Sequence, residues 1–253
     1  MEQENQKLNM KSSSLQNKKE NGSLFLIPNT LGDTDLNKIL PTYNNSIISS
    51  LKFFIVEDIR TTRRFLKKVN SKIDIDQINF FVLNEHTDLY EISSFLEPLT
   101  KGFDMGIISE AGCPAIADPG ADIVALAQKK DIKVIPLIGP SSILLSLMAS
   151  GFNGQSFAFL GYLPVKQEER INALKKIENR IYSENQTQIF IETPYRNMKL
   201  LEDILNTCKP TTKLCIASDL TLDTEFIKTK TISEWKLQKP DLNKKPCIFL
   251  LYK

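Results

Sequence analysis

Nine short apolar runs recur along the chain: LFLI (24–27), FFIV (53–56), FFVL (80–83), MGIIS (105–109), KVIPLI (133–138), FAFL (157–160), QIFIE (188–192), KLCIAS (213–218) and CIFLLY (247–252). Most are near-continuous rather than alternating. A half-exposed strand alternates apolar and polar residues, so these runs predict strands covered on both faces. The covering layers stand between them as helical patterns over 57–69, 122–130, 141–150, 166–183 and 198–205. Strand and helix patterns in alternation predict an α/β fold. The first half reads as a mostly parallel sheet. The second half, with strands closer together, reads as a mixed one.

Residues 1–22 contain almost no large apolar groups and predict a disordered tail. Order is expected from Ser23, with an N-terminal α/β domain over 23–138 and a C-terminal one over 139–253. Gly139-Pro140 offers the break, and Gly161-Tyr162-Leu163-Pro164 is the alternative. The net charge of +2 announces no polyanion ligand, so any nucleic-acid surface must be a local patch. Cys113, Cys208, Cys215 and Cys247 form no CxxC pair, which speaks against a structural zinc or thioredoxin-like chemistry. No metal site is expected. No apolar run approaches the roughly 18 residues that span a bilayer, and the expected location is the cytoplasm.

The most punctuated stretch is DMGIISEAGCPAIADPG (104–120), where a strand pattern ends in two glycines and two prolines before a helix pattern begins. In open α/β sheets ligands collect beyond the carboxyl ends of strands, and glycine lets backbone groups approach them. LIGPSS (137–142) repeats the pattern, and Ser141 or Ser142 is placed to cap the next helix or to bond an anionic ligand group. A pair of tight strand-to-helix turns is the plainer reading of both. Neither loop is GxxxxGK[ST] or GxGxxG. The site therefore looks built to hold a molecule with backbone groups rather than to attack it.

In EDIRTTRRFLKKV (57–69) a helix places Arg60, Arg63, Arg64, Lys67 and Lys68 along one stripe, with Ile59, Thr62, Leu66 and Val69 on the other side. Five cations with no acid interleaved repel one another unless an anion is present. Nucleic-acid phosphates are the natural partner, against a plain solvated face. Candidate acid–base groups are few. His86, the single histidine, and Glu110 are weak candidates for a base, and the catalytic residue is otherwise unknown. Glu192, Tyr195 and Arg196 follow a strand pattern and read either as site residues or as a salt-linked turn. Cys113 reads as a small turn residue rather than a reactive thiol.

Five blocks, in order, resemble a known family. IISEAGCPAIADPG (107–120) resembles S-D-A-G-x-P-x-I-x-D-P-G. EDIRTTRRFL (57–66) resembles E-D-T-R-x-[ST]-x-x-L-L. IPLIGPSSILLSLMASGF (135–152) resembles P-x-P-G-P-S-A-x-x-x-A-L-x-x-S-G. FAFLGYLPVK (157–166) and FIETPYR (190–196) resemble F-x-F-x-G-F-L-P-x-K and F-Y-E-[AS]-P-H-R. The chain thus resembles the tetrapyrrole-methylase-like superfamily of S-adenosylmethionine-dependent methyltransferases. The branch it is most similar to is the small-subunit ribosomal RNA cytidine-2′-O-ribose methyltransferases. The resemblance implies a two-domain α/β protein, usually a homodimer, with S-adenosylmethionine in the cleft between the domains. By position it implies cofactor contacts from Pro28, Ser109, Glu110, Ala111, Gly112, Ser141 and Ser142, and ribosomal RNA or the small ribosomal subunit as partner. Three departures stand out: Glu110 replaces Asp, Tyr195 replaces His, and IPNTLGD (27–33) keeps only part of A-T-P-I-G-N-L-x-D.

Three functions compete on these grounds: an RNA ribose methyltransferase, a methyltransferase for a small tetrapyrrole-like acceptor, and a catalytically weak RNA-binding paralogue. The basic stripe favours RNA over a porphyrin-type acceptor. Binding of S-adenosylmethionine followed by transfer to ribosomal subunits separates all three.

Overall fold

A computed structural model describes residues 20–83 and 87–253. Most of the expected tail (1–19) and His86, with its NEH segment (84–86), lie outside the described residues. The tail boundary shifts slightly: Gly22 is already buried, and its amide donates to the Leu99 carbonyl at 2.8 Å. The chain forms two compact units. The first contains the chain up to Ile27, Thr42–Glu110 and Pro114–Ile138; the second contains Pro28–Pro41, Ala111–Cys113 and Gly139–Lys253. The turn at Gly139 marks a division, and two short loop segments from the first half join the second unit.

The first unit carries β1 (Leu24–Ile27), β2 (Phe53–Val56), β3 (Asn79–Val82), β4 (Met105–Ile108) and β5 (Val134–Pro136), all parallel in the order β3-β2-β4-β1-β5. Central β4 is buried throughout and edge β3 is partly exposed. Helices Ile59–Val69, Leu89–Phe95 and Gly120–Lys129 stand between the strands. Leu24, Ile55, Met105 and Ile107 pack with Ile123, Ala127, Leu96 and Leu99 into one core. Fully burying a Leu, Ile or Met side chain contributes roughly 1.5–3 kcal/mol. Gly106 is required by packing: a Cβ there would lie 2.5 Å from Ile27 Cδ1 and 3.0 Å from the Phe54 ring.

The second unit carries β6 (Phe157–Tyr162), β7 (Thr187–Glu192), β8 (Lys213–Ser218), β9 (Phe226–Thr231) and β10 (Cys247–Tyr252), in the order β6-β7-β10-β8-β9. β6 and β7 run parallel and the remaining pairs antiparallel, so the sheet is mixed. Its apolar runs are continuous because both faces are covered. Phe249, Leu251, Leu214 and Ile216 face one core with Trp235 and the helices Gln167–Glu184 and Asn197–Thr207. Ile248, Leu250, Cys215 and Ala217 face another with Leu147 of the helix Ser142–Ser150. β9 (FIKTKT) is absent from the sequence expectations. Its Lys and Thr residues hide it from an apolar count, as befits an edge strand guarded by charge.

Candidate active site

In the first sheet, β1 connects to β2 in one direction and β4 connects to β5 in the other, while β1 and β4 lie side by side. That divergence is the switch point at which open α/β sheets bind ligands. The loops leaving it carry the residues singled out above. Asn29 and Gly112 exchange two backbone hydrogen bonds, the Asn29 amide donating at 2.8 Å and the Gly112 amide at 3.2 Å. Gly112 has φ +71°, and an imagined Cβ would make only ordinary contacts, 3.5 Å to Leu31 Cδ2 and 3.8 Å to the Pro140 carbonyl oxygen, so conformation rather than room demands glycine. Ala115 (φ 66°) and Ala117 (φ 61°) adopt the same left-handed region without being glycine. Asp118 holds that bend, its carboxylate accepting the Ala115 amide at 2.9 and 3.0 Å and the Gly120 amide at 2.7 Å. The punctuation thus answers a need for a stiff, tightly turned loop.

Beside it, Glu57 at the end of β2 accepts the Glu110 amide at 3.1 Å, and Glu110 Oε1 accepts the Thr61 hydroxyl at 3.1 Å. Burial raises the Glu57 pKa. The Glu110 amide opposes that rise, and the Asp118 and Glu110 charges add to it. Asp58 caps the helix Ile59–Val69 by accepting the Thr61 amide at 2.7 Å, the main cause of its lowered pKa. Glu57, Ser109 and Asp118 border a void of about 10 Å³, room for at most one water. In this corner the polar side chains bond to the loop.

A ligand-sized space lies in the second unit, a cavity of about 270 Å³. Its walls come from Leu31 and Ala111, from Ser142 and Tyr162, and from the carboxyl ends of β7 (Ile191, Glu192, Pro194) and β8 (Ala217, Leu220). The start of β10 (Pro246, Cys247, Ile248) completes them. The antiparallel register sets Cys247 opposite both Glu192 and Ser218, which brings these strand ends to one edge of the sheet. Apolar walls with a few placed polar groups are the usual make-up of a small-molecule site. The Glu192 side chain is 1% exposed, and its Oε1 accepts the Thr193 amide at 2.7 Å and Arg196 Nε and Nη2 at 2.9 and 2.6 Å. The salt-linked turn is therefore present, and its carboxylate also borders the cavity. Burial and the charge of Asp219 push the Cys247 thiol up to about 12, so it stays protonated and inert.

The expected cofactor residues separate into groups. Ala111 and Ser142 border the cavity. Ser141 caps its helix, accepting the Leu144 amide at 3.4 Å. Pro28 is buried against Gly139, whose Cβ, if present, would lie 2.2 Å from the proline ring. Ser109 and Glu110 belong to the first unit's corner, and Gly112 to the loop pairing. Cys113 donates to the Pro140 carbonyl at 3.4 Å, with its pKa raised by burial, as a turn residue does. Tyr162, Ala217, Leu220, Pro246 and Cys247 were not foreseen, because apolar residues at strand ends carry no signal that separates a cavity wall from core.

The basic stripe is present. On the helix Ile59–Val69, Thr62, Phe65 and Leu66 are buried while Arg60, Arg63, Arg64, Lys67 and Lys68 are exposed. Among the described residues no carboxylate pairs with Arg60, Arg63 or Arg64 within 4.0 Å. The Arg63 guanidinium lies over the Phe80 ring at 5.7 Å. Lys67 is partly spent at the helix end, donating to the carbonyls of Ser71 (3.0 Å) and Ile73 (2.7 Å). Tyr195 is exposed.

No family model matches the chain. Curated proteins do. It is 32% identical over 224 residues to ribosomal RNA small subunit methyltransferase I of Streptococcus pyogenes serotype M6, covering 87% of this chain and 72% of that protein. The protein of the same name from Vibrio cholerae is 28% identical over 232 residues (90% and 76%), and that of Escherichia coli O157:H7 is 29% identical over 216 (84% and 70%). Among solved structures, the methyltransferase CobJ aligns with TM-score 0.61 at 13% identity, over 92% of this chain and 94% of its own. The cobalamin biosynthetic enzyme cobalt precorrin-4 methyltransferase, CbiF, aligns with TM-score 0.57 at 15% identity, over 91% and 94%. At such identities the structural likeness is one of fold.

Proposed function

The chain belongs to the ribosomal RNA small subunit methyltransferase I family, and from that premise we propose that it transfers a methyl group from S-adenosylmethionine to a ribose 2′-hydroxyl of small-subunit ribosomal RNA. The observation that carries the reading is the cavity at the ends of β7 and β8, whose apolar walls suit the faces of a purine and whose few polar groups suit a sugar. The bound donor supplies an activated methyl on a sulfonium. The chain binds and aligns, since an in-line displacement needs the acceptor oxygen about 3–3.5 Å from the methyl carbon.

In this reading Ala111 and Ser142 border the donor, and the apolar walls keep water from it. Pro28, Gly112 and Ser141 hold the surrounding backbone in shape, and Ser109 and Glu110 fix the strand-end loop. Arg60, Arg63 and Arg64 take RNA phosphates, with Lys68 beside them and Lys67 contributing what its local bonds leave. The reading carries with it a homodimer working in the cytoplasm; light scattering of the purified protein tests the first part. No helix among the described residues is long and apolar enough to cross a membrane. A tetrapyrrole-like acceptor has only the likeness of fold in its favour, and the unpaired arginines weigh against it.

The decisive experiment incubates purified protein, radiolabelled S-adenosylmethionine and unmodified small ribosomal subunits. Label should enter the RNA at one nucleotide whose phosphodiester then resists alkali, because methylation removes the hydroxyl that attacks it. Label on a base refutes the ribose assignment, and transfer only to a tetrapyrrole acceptor refutes the RNA assignment.

A further inference from the structure

We propose that Glu192 grips the ribose hydroxyls of the donor and thereby sets the cavity's preference for an intact nucleoside. The inference rests on the donor reading of the cavity and adds to it a residue and a subsite. Among the described residues that line the cavity Glu192 is the one carboxylate; Leu31, Ile191, Ala217, Leu220 and Ile248 are apolar. Its Oε1 takes three N–H donors, from Thr193 and Arg196. Its Oε2 takes none from any described residue, and it is not among the sealed, unpartnered atoms of the interior. A carboxylate offers about four lone-pair sites on its two oxygens, and a nearly buried one needs them met. The unmet oxygen therefore asks its ligand for O–H or N–H donors.

Two features choose hydroxyls over a cation. Arg196, bonded to the same carboxylate at 2.6 Å, cancels its charge, so the pair recognises by hydrogen-bond geometry more than by net attraction. Arg196 and the Thr193 amide also lock the carboxylate at the end of β7, opposite Cys247 on β10. A fixed acceptor at an apolar wall suits the paired hydroxyls of a ribose whose base lies along that wall. Glu192 is thus a positioning residue for the donor, with no proton to move.

The test is calorimetric titration of the wild-type protein, Glu192→Gln and the double variant Glu192→Ala/Arg196→Ala with S-adenosylhomocysteine and its 2′,3′-dideoxy analogue. The double variant removes both charges and stands in if the glutamine protein does not fold. Wild type should bind the dideoxy analogue about 10- to 100-fold more weakly, the range for hydrogen bonds to a charged group. In the variants that ratio should collapse towards one. Binding by wild type with the same diol penalty in the variants overturns the role of Glu192 and leaves the donor cavity standing. Absence of any affinity of wild type for S-adenosylhomocysteine overturns the donor reading, and this assignment with it.

Discussion

The strand-end corner of the first unit and the cavity of the second both sit where loops leave a sheet, yet they treat their polar groups in opposite ways. In the first, Glu57, Glu110, Thr61 and Asp118 bond to the loop itself, and the residual void is about 10 Å³. In the second, about 270 Å³ stays open between apolar walls, and one carboxylate keeps an oxygen that no described residue bonds. Backbone punctuation therefore marks where the chain must be held still. The punctuated loops also lend Ala111 and Ser142 to the cavity, and strand ends of ordinary composition supply the rest of its wall.

The contrast breaks most severely if the cavity's frame is removed. Arg170 is 2% exposed and binds Asp203 through Nε (2.8 Å) and Nη2 (2.6 Å), while its Nη1 serves the Pro164 and Val165 carbonyls just beyond Tyr162. Asp203→Ala leaves a buried guanidinium unpaired and should cost about 3–5 kcal/mol. The fluorescence of Trp235, the single tryptophan and a member of the second unit's core, reads the loss as an earlier urea transition. An unchanged midpoint would mean that the frame is not held by this pair.

The next effect separates RNA from donor. Arg63→Glu/Arg64→Glu reverses two cations of the first unit that no described carboxylate pairs within 4.0 Å. RNA affinity should fall roughly tenfold or more at low salt, and the slope of log K against log salt should shrink by about 2. Affinity for S-adenosylhomocysteine, measured in parallel, should stay as it was. Equal RNA binding by the variant removes the stripe from the RNA surface.

What was legible beforehand follows the same division. Continuous apolar runs located nine strands, because covering both faces of a sheet leaves that signature in each strand separately; β10 matches its run residue for residue. The stripe was legible because a helix periodicity is local. The stiff loop was legible from glycine and proline, which act on their own backbone. The cavity was legible only in part. Ala111, Ser142 and Glu192 stood out beforehand, whereas Ile191, Ala217, Leu220 and Ile248 differ from core only by what stands opposite them, and that depends on the pairing of β7, β8 and β10. β9 escaped because its lysines and threonines protect an edge rather than fill a core.

A smaller effect probes the stiffness of the loop. Gly112→Ala adds a methyl with room to spare, its nearest neighbours at 3.5 and 3.8 Å, but at φ +71°. The left-handed conformation alone should cost about 1–2 kcal/mol, seen as a lowered melting temperature with the fold retained. If the loop relaxes instead, the bridge between Asn29 and Gly112 opens and its two amides exchange faster with solvent. A variant as stable as wild type, with both amides protected, would show that the bend is not held in that conformation.

The smallest effect is also the one whose sign is most diagnostic. Burial, with help from the Asp118 and Glu110 charges, raises the Glu57 pKa above its ordinary 4.5, although the Glu110 amide works against the shift. A carboxyl whose pKa is higher in the folded state than in the unfolded one stabilises the fold below the unfolded value. That contribution is lost as pH climbs through the folded value. Glu57→Gln keeps an oxygen for the Glu110 amide and removes the charge. Its stability relative to wild type should therefore be flat below about pH 4.5 and should improve as pH rises beyond it, read as a difference in urea midpoints by circular dichroism. The gain should be modest, because the group is only partly buried and solvent screens it. If wild type instead gains on the glutamine variant as pH rises, the Glu110 amide outweighs burial, and the corner is a site that prefers a full negative charge. The contrast between a self-satisfied corner and a receptive one would then rest on volume alone.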